Sequence, residues 1–289
     1  MKHILCFGDS NLFGTNPSGG RWPLEQRWTG LLAQALGEGY RIIEEGLGGR
    51  TTVFDDPLEE NRCGLKHLPI MLHSHRPLDL VILSLGTNDC KVMFNANAKI
   101  IAKAVEKLAL IIREYPYGEH YPIPQVLVVA PIHSGEGVEN SSFSGFDYQS
   151  HLLSKQLGPA IREMAQKNNF LFLDASLVAK SSPIDLLHMD SEGHAALAAA
   201  LFSLVLDWFG DVRPLAVADE PQPDEDQESK KQENTEEGNT EEGNTEEKNK
   251  EQEEIQEIEA PLEKNKEAAS SPSKRGRLPL GFGFLKKRP

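Results

Sequence analysis

Cysteine is scarce in this chain: Cys6, Cys63 and Cys90 are all there is in 289 residues. An odd number at wide spacing argues against a disulfide framework and suits free thiols in a reducing compartment, so a cytoplasmic location is expected. Long hydrophobic runs are scarce too. The first apolar run, Ile4 to Phe7, is too short for the core of a secretory signal, and no stretch is expected to approach membrane-spanning length. Positive charge is also in deficit, with 30 Lys and Arg against 44 Asp and Glu and a formal net charge of -14. Phosphate binding needs a clustered basic face, and the stretch before Pro214 has none, which argues against nucleic acid as the main partner.

Aromatic residues vanish between Asp219 and Glu267, where almost every position is charged, polar, Pro or Gly. Such a segment cannot bury enough apolar surface to offset its ordering entropy. The expected organisation is therefore a globular domain over residues 1–213 and a disordered acidic tail over 214–289. Within the tail, "NTEEGNTEEGNTEEKN" repeats with a period of five from Asn234, far below solenoid repeat lengths, and is low complexity. The tip reverses sign, with Lys274, Arg275, Arg277, Lys286, Lys287 and Arg288 flanking "LPLGFGFL". A solvated, non-specific role is the default for such a block, and its partner is left unknown.

What the first 213 residues do contain is alternation. Apolar strand-like runs at His3–Phe7, "YRIIEEG", "LDLVILSLG", "QVLVVAP" and "FLFLDAS" are separated by helical patterns. The clearest helices are Arg27–Leu36, "NANAKIIAKAVEKLALIIREY", "YQSHLLSKQLGPAIREMAQK" and a closing "DSEGHAALAAALFSLVLDWFG" capped by Asp190 or Ser191. Strands apolar throughout belong to a parallel sheet covered on both faces. The fold class is α/β, a three-layer α/β/α sandwich with a five-stranded parallel sheet, and ligands should gather at the carboxyl ends of its strands.

Four loops then matter. The first strand ends in "GDSN" with Ser10, the second leads to "GLGGRTT" with Gly49, the third to "GTND" with Asn88, and beyond the fifth comes "DLLHMD" with Asp185 and His188. Each has a plain alternative: a turn serine or cap, a tight-turn glycine, ordinary turn residues, a surface histidine. Together they supply a nucleophile, oxyanion donors and an acid/base pair on one edge. The rival His194 falls inside the closing helix, whereas His188 precedes it. His73 and His75 form an "HSH" pair without the further ligands a zinc site needs, so a structural role is expected for them and no metal. Asp9 and Asp89 are expected to pin turns through backbone amides.

In their order and placement, "ILCFGDS", "RWTGLLAQ", "IIEEGL" with "RTT", "RPLDLVI" and "LGTND" resemble the SGNH (GDSL-type) hydrolases, specifically the bacterial arylesterase and acyltransferase-like branch, from Lys2 to Phe209. The resemblance implies a flavodoxin-like sheet and a serine esterase of short acyl esters, acetyl included. It implies Ser10 as nucleophile, His188 as general base and acid, and Asp185 as its orienting carboxylate, with Ser10, Gly49 and Asn88 forming the oxyanion hole. No cofactor is implied, and the partners are a small-molecule ester substrate and a possible second copy of the chain. The competing α/β-hydrolase arrangement lacks its G-x-S-x-G elbow here. Other readings remain: acyl transfer to an alcohol, a carbohydrate acetylesterase, or a catalytically idle domain that tethers partners through its tail. The loops "FDDPLEENRCGLKHLP" and "PIHSGEGVENSSFSGFDYQ" are expected to wall the pocket and choose the substrate.

Overall fold

The computed structural model describes residues 1–143 and 145–210, all within the first of two units into which the chain divides, Met1–Asp219. The acidic tail and basic tip expected beyond residue 213 lie outside the described residues.

Five parallel strands, β1 (Lys2–Gly8), β2 (Tyr40–Gly46), β3 (Leu80–Ser84), β4 (Gln125–Ala130) and β5 (Leu171–Asp174), form one sheet in the order β2-β1-β3-β4-β5. The alternation of side chains along each strand builds two cores. Leu5, Phe7, Val81, Leu83, Val126 and Val128 face α3 (Gly64–His75), α4 (Ala98–Glu114) and α5 (Tyr148–Asn168). Ile4, Cys6, Leu80, Ile82, Leu127 and Val129 face α2 (Trp28–Leu36) and α6 (Ser191–Phe209). Because both faces are covered, the inner strands read as continuous apolar runs. The three cysteines are free and buried.

Two expectations need correction. The segment from Gly64 to Pro69, expected as part of a pocket loop, begins α3 instead. Pro69 lies inside that helix and hides it from a sequence reading, since an interior proline removes a backbone donor. Burial of Leu68 and Leu72, one turn apart on the same face, holds the helix in place. The second correction concerns length: the 19 residues of α6 are long and apolar enough to cross a bilayer. Here its Leu197, Leu201, Phe202 and Val205 pack into the core against β1 and α2.

The order of strands reverses direction between β1 and β3, so the loops leaving these neighbours diverge to opposite faces and open a crevice at their carboxyl ends. Ser10 follows β1 and Asn88 follows β3.

Candidate active site

The "GDSN" stretch after β1 is a helix start. Asp9 is the N-cap of the one-turn α1 (Ser10–Phe13), its Oδ1 accepting from the Asn11 N–H at 3.0 Å. Ser10 is therefore the first helical residue, where the backbone N–H has no intrahelical partner. Gly46, at the end of β2, lets α1 pack close: a Cβ there would lie 2.3 Å from the Phe13 nitrogen.

The structure brings Ser10, Asp185 and His188 into one chain of hydrogen bonds. His188 Nε2 lies 2.9 Å from Ser10 Oγ, and His188 Nδ1 lies 2.7 Å from Asp185 Oδ2. All three residues are buried. The other Asp185 oxygen accepts from the backbone N–H of Leu187 at 3.0 Å and of His188 at 2.9 Å. Burial opposes ionisation of Asp185, but the hydrogen bonds from His188 and these backbone amides outweigh it and hold the carboxyl below its ordinary range. Leu186, between them, sits in the left-handed region at φ 61°. Such a backbone costs a non-glycine residue roughly 1–2 kcal/mol and turns the chain back so that carboxylate and imidazole meet. It is held by bonds from Leu186 N to Ser182 O at 2.8 Å and from Gly135 N to Leu186 O at 2.7 Å.

Gly49 and Asn88 line the same cleft as Ser10 and His188. Gly49 has φ 75°, a conformation that favours glycine, and neither its backbone N–H nor that of Ser10 is engaged by another described residue. Asn88 Nδ2 donates to Arg50 O at 3.1 Å, which fixes the amide beside the Gly49 loop. The next residue strengthens this tie: Asp89 accepts from the Thr52 N–H at 3.1 Å and from its hydroxyl. Burial pushes the Asp89 carboxyl up to about 6; the Thr52 hydrogen bonds oppose this and the neighbouring Asp9 adds to it. His194 is fully buried within α6 and absent from the cleft; its Nδ1 accepts from the Trp28 N–H at 3.3 Å. His75 pairs with Glu45 at 2.8 Å and His73 Nδ1 lies 2.9 Å from the Tyr115 hydroxyl.

The cleft has a volume of about 480 Å³. One wall comes from the segment after β2, with Asp56, Leu58, Glu59 and Arg62, and another from the loop after β4, with Ser142, Phe143 and Phe146. The edge-on ring of Phe143 stands 5.1 Å from that of His188 at 75°.

Three positioning residues escape a sequence reading. Asn11 donates to Leu187 O at 3.3 Å and accepts from Met189 N at 3.0 Å, gripping the chain on both sides of His188. Its partners lie 176 and 178 residues away, so only its place beside Ser10 marks it. Arg50 is buried, donates to Gly8 O at 2.9 Å and to Glu45 O, and lies 4.1 Å over the Phe7 ring. Burial lowers the Arg50 guanidinium to about 10, which leaves it charged at neutral pH. Phe143 carries no sequence signal beyond its long loop.

A buried serine, histidine and aspartate in series, beside N–H donors that no other described residue engages at the edge of a parallel sheet, define a serine hydrolase site. Residues 6–196 match the GDSL-like lipase/acylhydrolase family, and the chain belongs to it. Among solved structures, a carbohydrate acetylesterase from Sinorhizobium meliloti, Est24, is 37% identical with a TM-score of 0.67, covering 72% of this chain and 100% of that one. An aryl esterase of M. smegmatis is 34% identical with a TM-score of 0.66, covering 72% and 99% respectively. No curated protein matches the chain. The protein is a serine ester hydrolase.

Proposed function

We propose that the enzyme cleaves esters of short acyl groups, acetyl above all, through an acyl-enzyme on Ser10. The observation that carries this reading is the unbroken relay from Asp185 through His188 to Ser10 Oγ, with links of 2.7 and 2.9 Å. Ser10 Oγ attacks the ester carbonyl carbon while His188 Nε2 takes its proton. Asp185, held as a carboxylate, orients the ring and stabilises the imidazolium. Charge on the former carbonyl oxygen is met by the N–H groups of Ser10 and Gly49 and by the Asn88 amide, and each such donor lowers the barrier by about 3 kcal/mol. Collapse breaks the bond to the alcohol, which leaves with the proton from His188. Water then repeats the cycle, giving its proton to His188, and Ser10 regains a proton as the acid departs.

The acetyl preference is supported by likeness to a structure described as a carbohydrate acetylesterase. A sugar as the alcohol is a second reading, favoured by the polar wall of Asp56, Glu59 and Arg62. Transfer of the acyl group to an alcohol is the same chemistry with the alcohol in place of water.

The test is hydrolysis of p-nitrophenyl acetate, butyrate and octanoate by wild type and Ser10→Ala. The acetate is expected to turn over fastest, and the variant to lose at least about a thousandfold in kcat, leaving only what binding and the oxyanion donors supply. Equal activity of the two proteins would sink the assignment. Release of acetate from acetylated xylan, compared with the aryl ester, separates the sugar reading from the general one.

A further inference from the structure

The cleft wall carries four charged side chains that the acyl transfer does not use: Asp56, Glu59 and Arg62 after β2, and Lys91 after Asn88. They are not equivalent. Lys91 Nζ and Asp56 Oδ2 meet at 2.7 Å with both side chains buried, and Asp56 Oδ1 also accepts from the backbone N–H of Leu58 at 2.9 Å and Glu59 at 3.2 Å. Burial opposes the charge on Asp56, yet the Lys91 ammonium and these amides hold its carboxyl below the ordinary range. That pair is a fixed, neutral part of the wall.

Glu59 is held far more loosely. Its Oε2 lies 3.5 Å from Lys91 Nζ and 3.5 Å from Arg62 Nε, with 46% of the side chain exposed. Arg62 Nε is buried and hydrogen-bonded to no described residue, while its Nη1 donates to Glu60 O at 3.1 Å. Both side chains occupy the space beside Gly49: a Cβ built there would lie 2.5 Å from Glu59 Oε2 and 3.0 Å from Arg62 Nε. A carboxylate and a guanidinium thus stand beside a residue assigned to the oxyanion hole. The two anions and two cations of the wall cancel, and without Glu59 an unbalanced cation would face the cleft.

We propose that Glu59 is a specificity-determining residue, whose carboxylate neutralises Arg62 beside Gly49 so that the enzyme selects uncharged esters over esters bearing a carboxylate. The proposal rests on ester hydrolysis at Ser10. An anionic ester is repelled by Glu59 at short range in a partly desolvated cleft, whereas an uncharged one is indifferent to it; rejection by a like charge is a general device of specificity.

The experiment compares wild type, Glu59→Gln and Glu59→Asp with three substrates: uncharged phenyl acetate, 4-acetoxybenzoate with the anion on the alcohol side, and monophenyl adipate with the anion on the acyl side. In Glu59→Gln, kcat/KM for at least one anionic ester, taken relative to phenyl acetate, is expected to rise about tenfold at low ionic strength. That gain should shrink in about 0.5 M salt, where charges are screened within a few ångströms, and Glu59→Asp should restore the wild-type ratio. Ratios within about twofold of wild type for both anionic esters, or a gain that salt does not touch, overturn the proposal. A wild type inert toward phenyl acetate removes the proposed short-acyl aryl ester activity at Ser10 and this proposal with it; an active wild type with an unchanged ratio removes this proposal alone.

Discussion

Ser10 and His188 are buried, 178 residues apart, yet within hydrogen-bonding distance, and the segments that carry them are held by Asp9, Asn11 and Asp185, none of which lines the cleft. Asp89, which ties the segment after β3 to Thr52, is open to challenge by pH, because its carboxyl is fully buried and pushed up to about 6. A folded-state value above the ordinary carboxylate range means that the protonated form is the one folding favours. The contribution is therefore fully present below pH 3.8 and is lost as pH rises through about 6. Asp89→Asn keeps an acceptor for Thr52 and removes the charge. Relative to wild type, its unfolding free energy is expected to rise by about 2 kcal/mol between pH 4 and pH 7, measured by urea denaturation. A pH-independent difference would place the charge of Asp89 outside the stability balance. That Asp89 accepts from a backbone amide was legible in the "GTND" pattern, but the turn it was expected to pin is not where that amide lies: it belongs to Thr52, 37 residues away, and nothing in a sequence reports which distant amide faces a carboxylate.

At the level of elements, α2 and α6 share a seam in which His194 accepts the first N–H of α2, from Trp28. Burial lowers the imidazole to about 4, so it stays neutral in the folded protein. The sign is opposite to that of Asp89: stability is full above pH 6.5 and falls as pH drops toward 4, because the unfolded chain takes up the proton first. His194→Gln is expected to flatten this loss, with wild type losing about 2 kcal/mol more than the variant between pH 7 and pH 4.5 in the same denaturation experiment. Parallel curves would show that His194 does not govern the acid response of this seam. Elements with a clean period were legible: β2 spans Tyr40–Gly46 as its run of "YRIIEEG" suggests, and α5 begins at Tyr148 behind the Asp147 capping box. Helix α3 was not: Pro69 interrupts it as Pro159 interrupts α5, but no side-chain cap marks its start at Cys63, and burial of Leu68 and Leu72 holds it.

For the whole molecule, every residue of the proposed mechanism, and both cores as far as the described residues build them, lie before residue 210. A chain ended after Pro214 is therefore expected to keep kcat/KM for p-nitrophenyl acetate within about tenfold of the full chain, a barrier change of no more than about 1.4 kcal/mol. A larger loss would assign the remaining residues a part in the fold or the site. The formal net charge of -14 bears on partners and solubility, while the neutral cleft wall is a local matter that total charge does not report.

Apolar periodicity determined the layers, and four short motifs in order pointed to the loops that meet at the cleft, because period and turn chemistry are local properties of a chain. Which donors stand free, which carboxylate meets which cation, and how Asn11 grips both sides of His188 were decided only by the packed sheet. Those contacts join residues far apart in the chain, and their distances follow from how helices pack on strands.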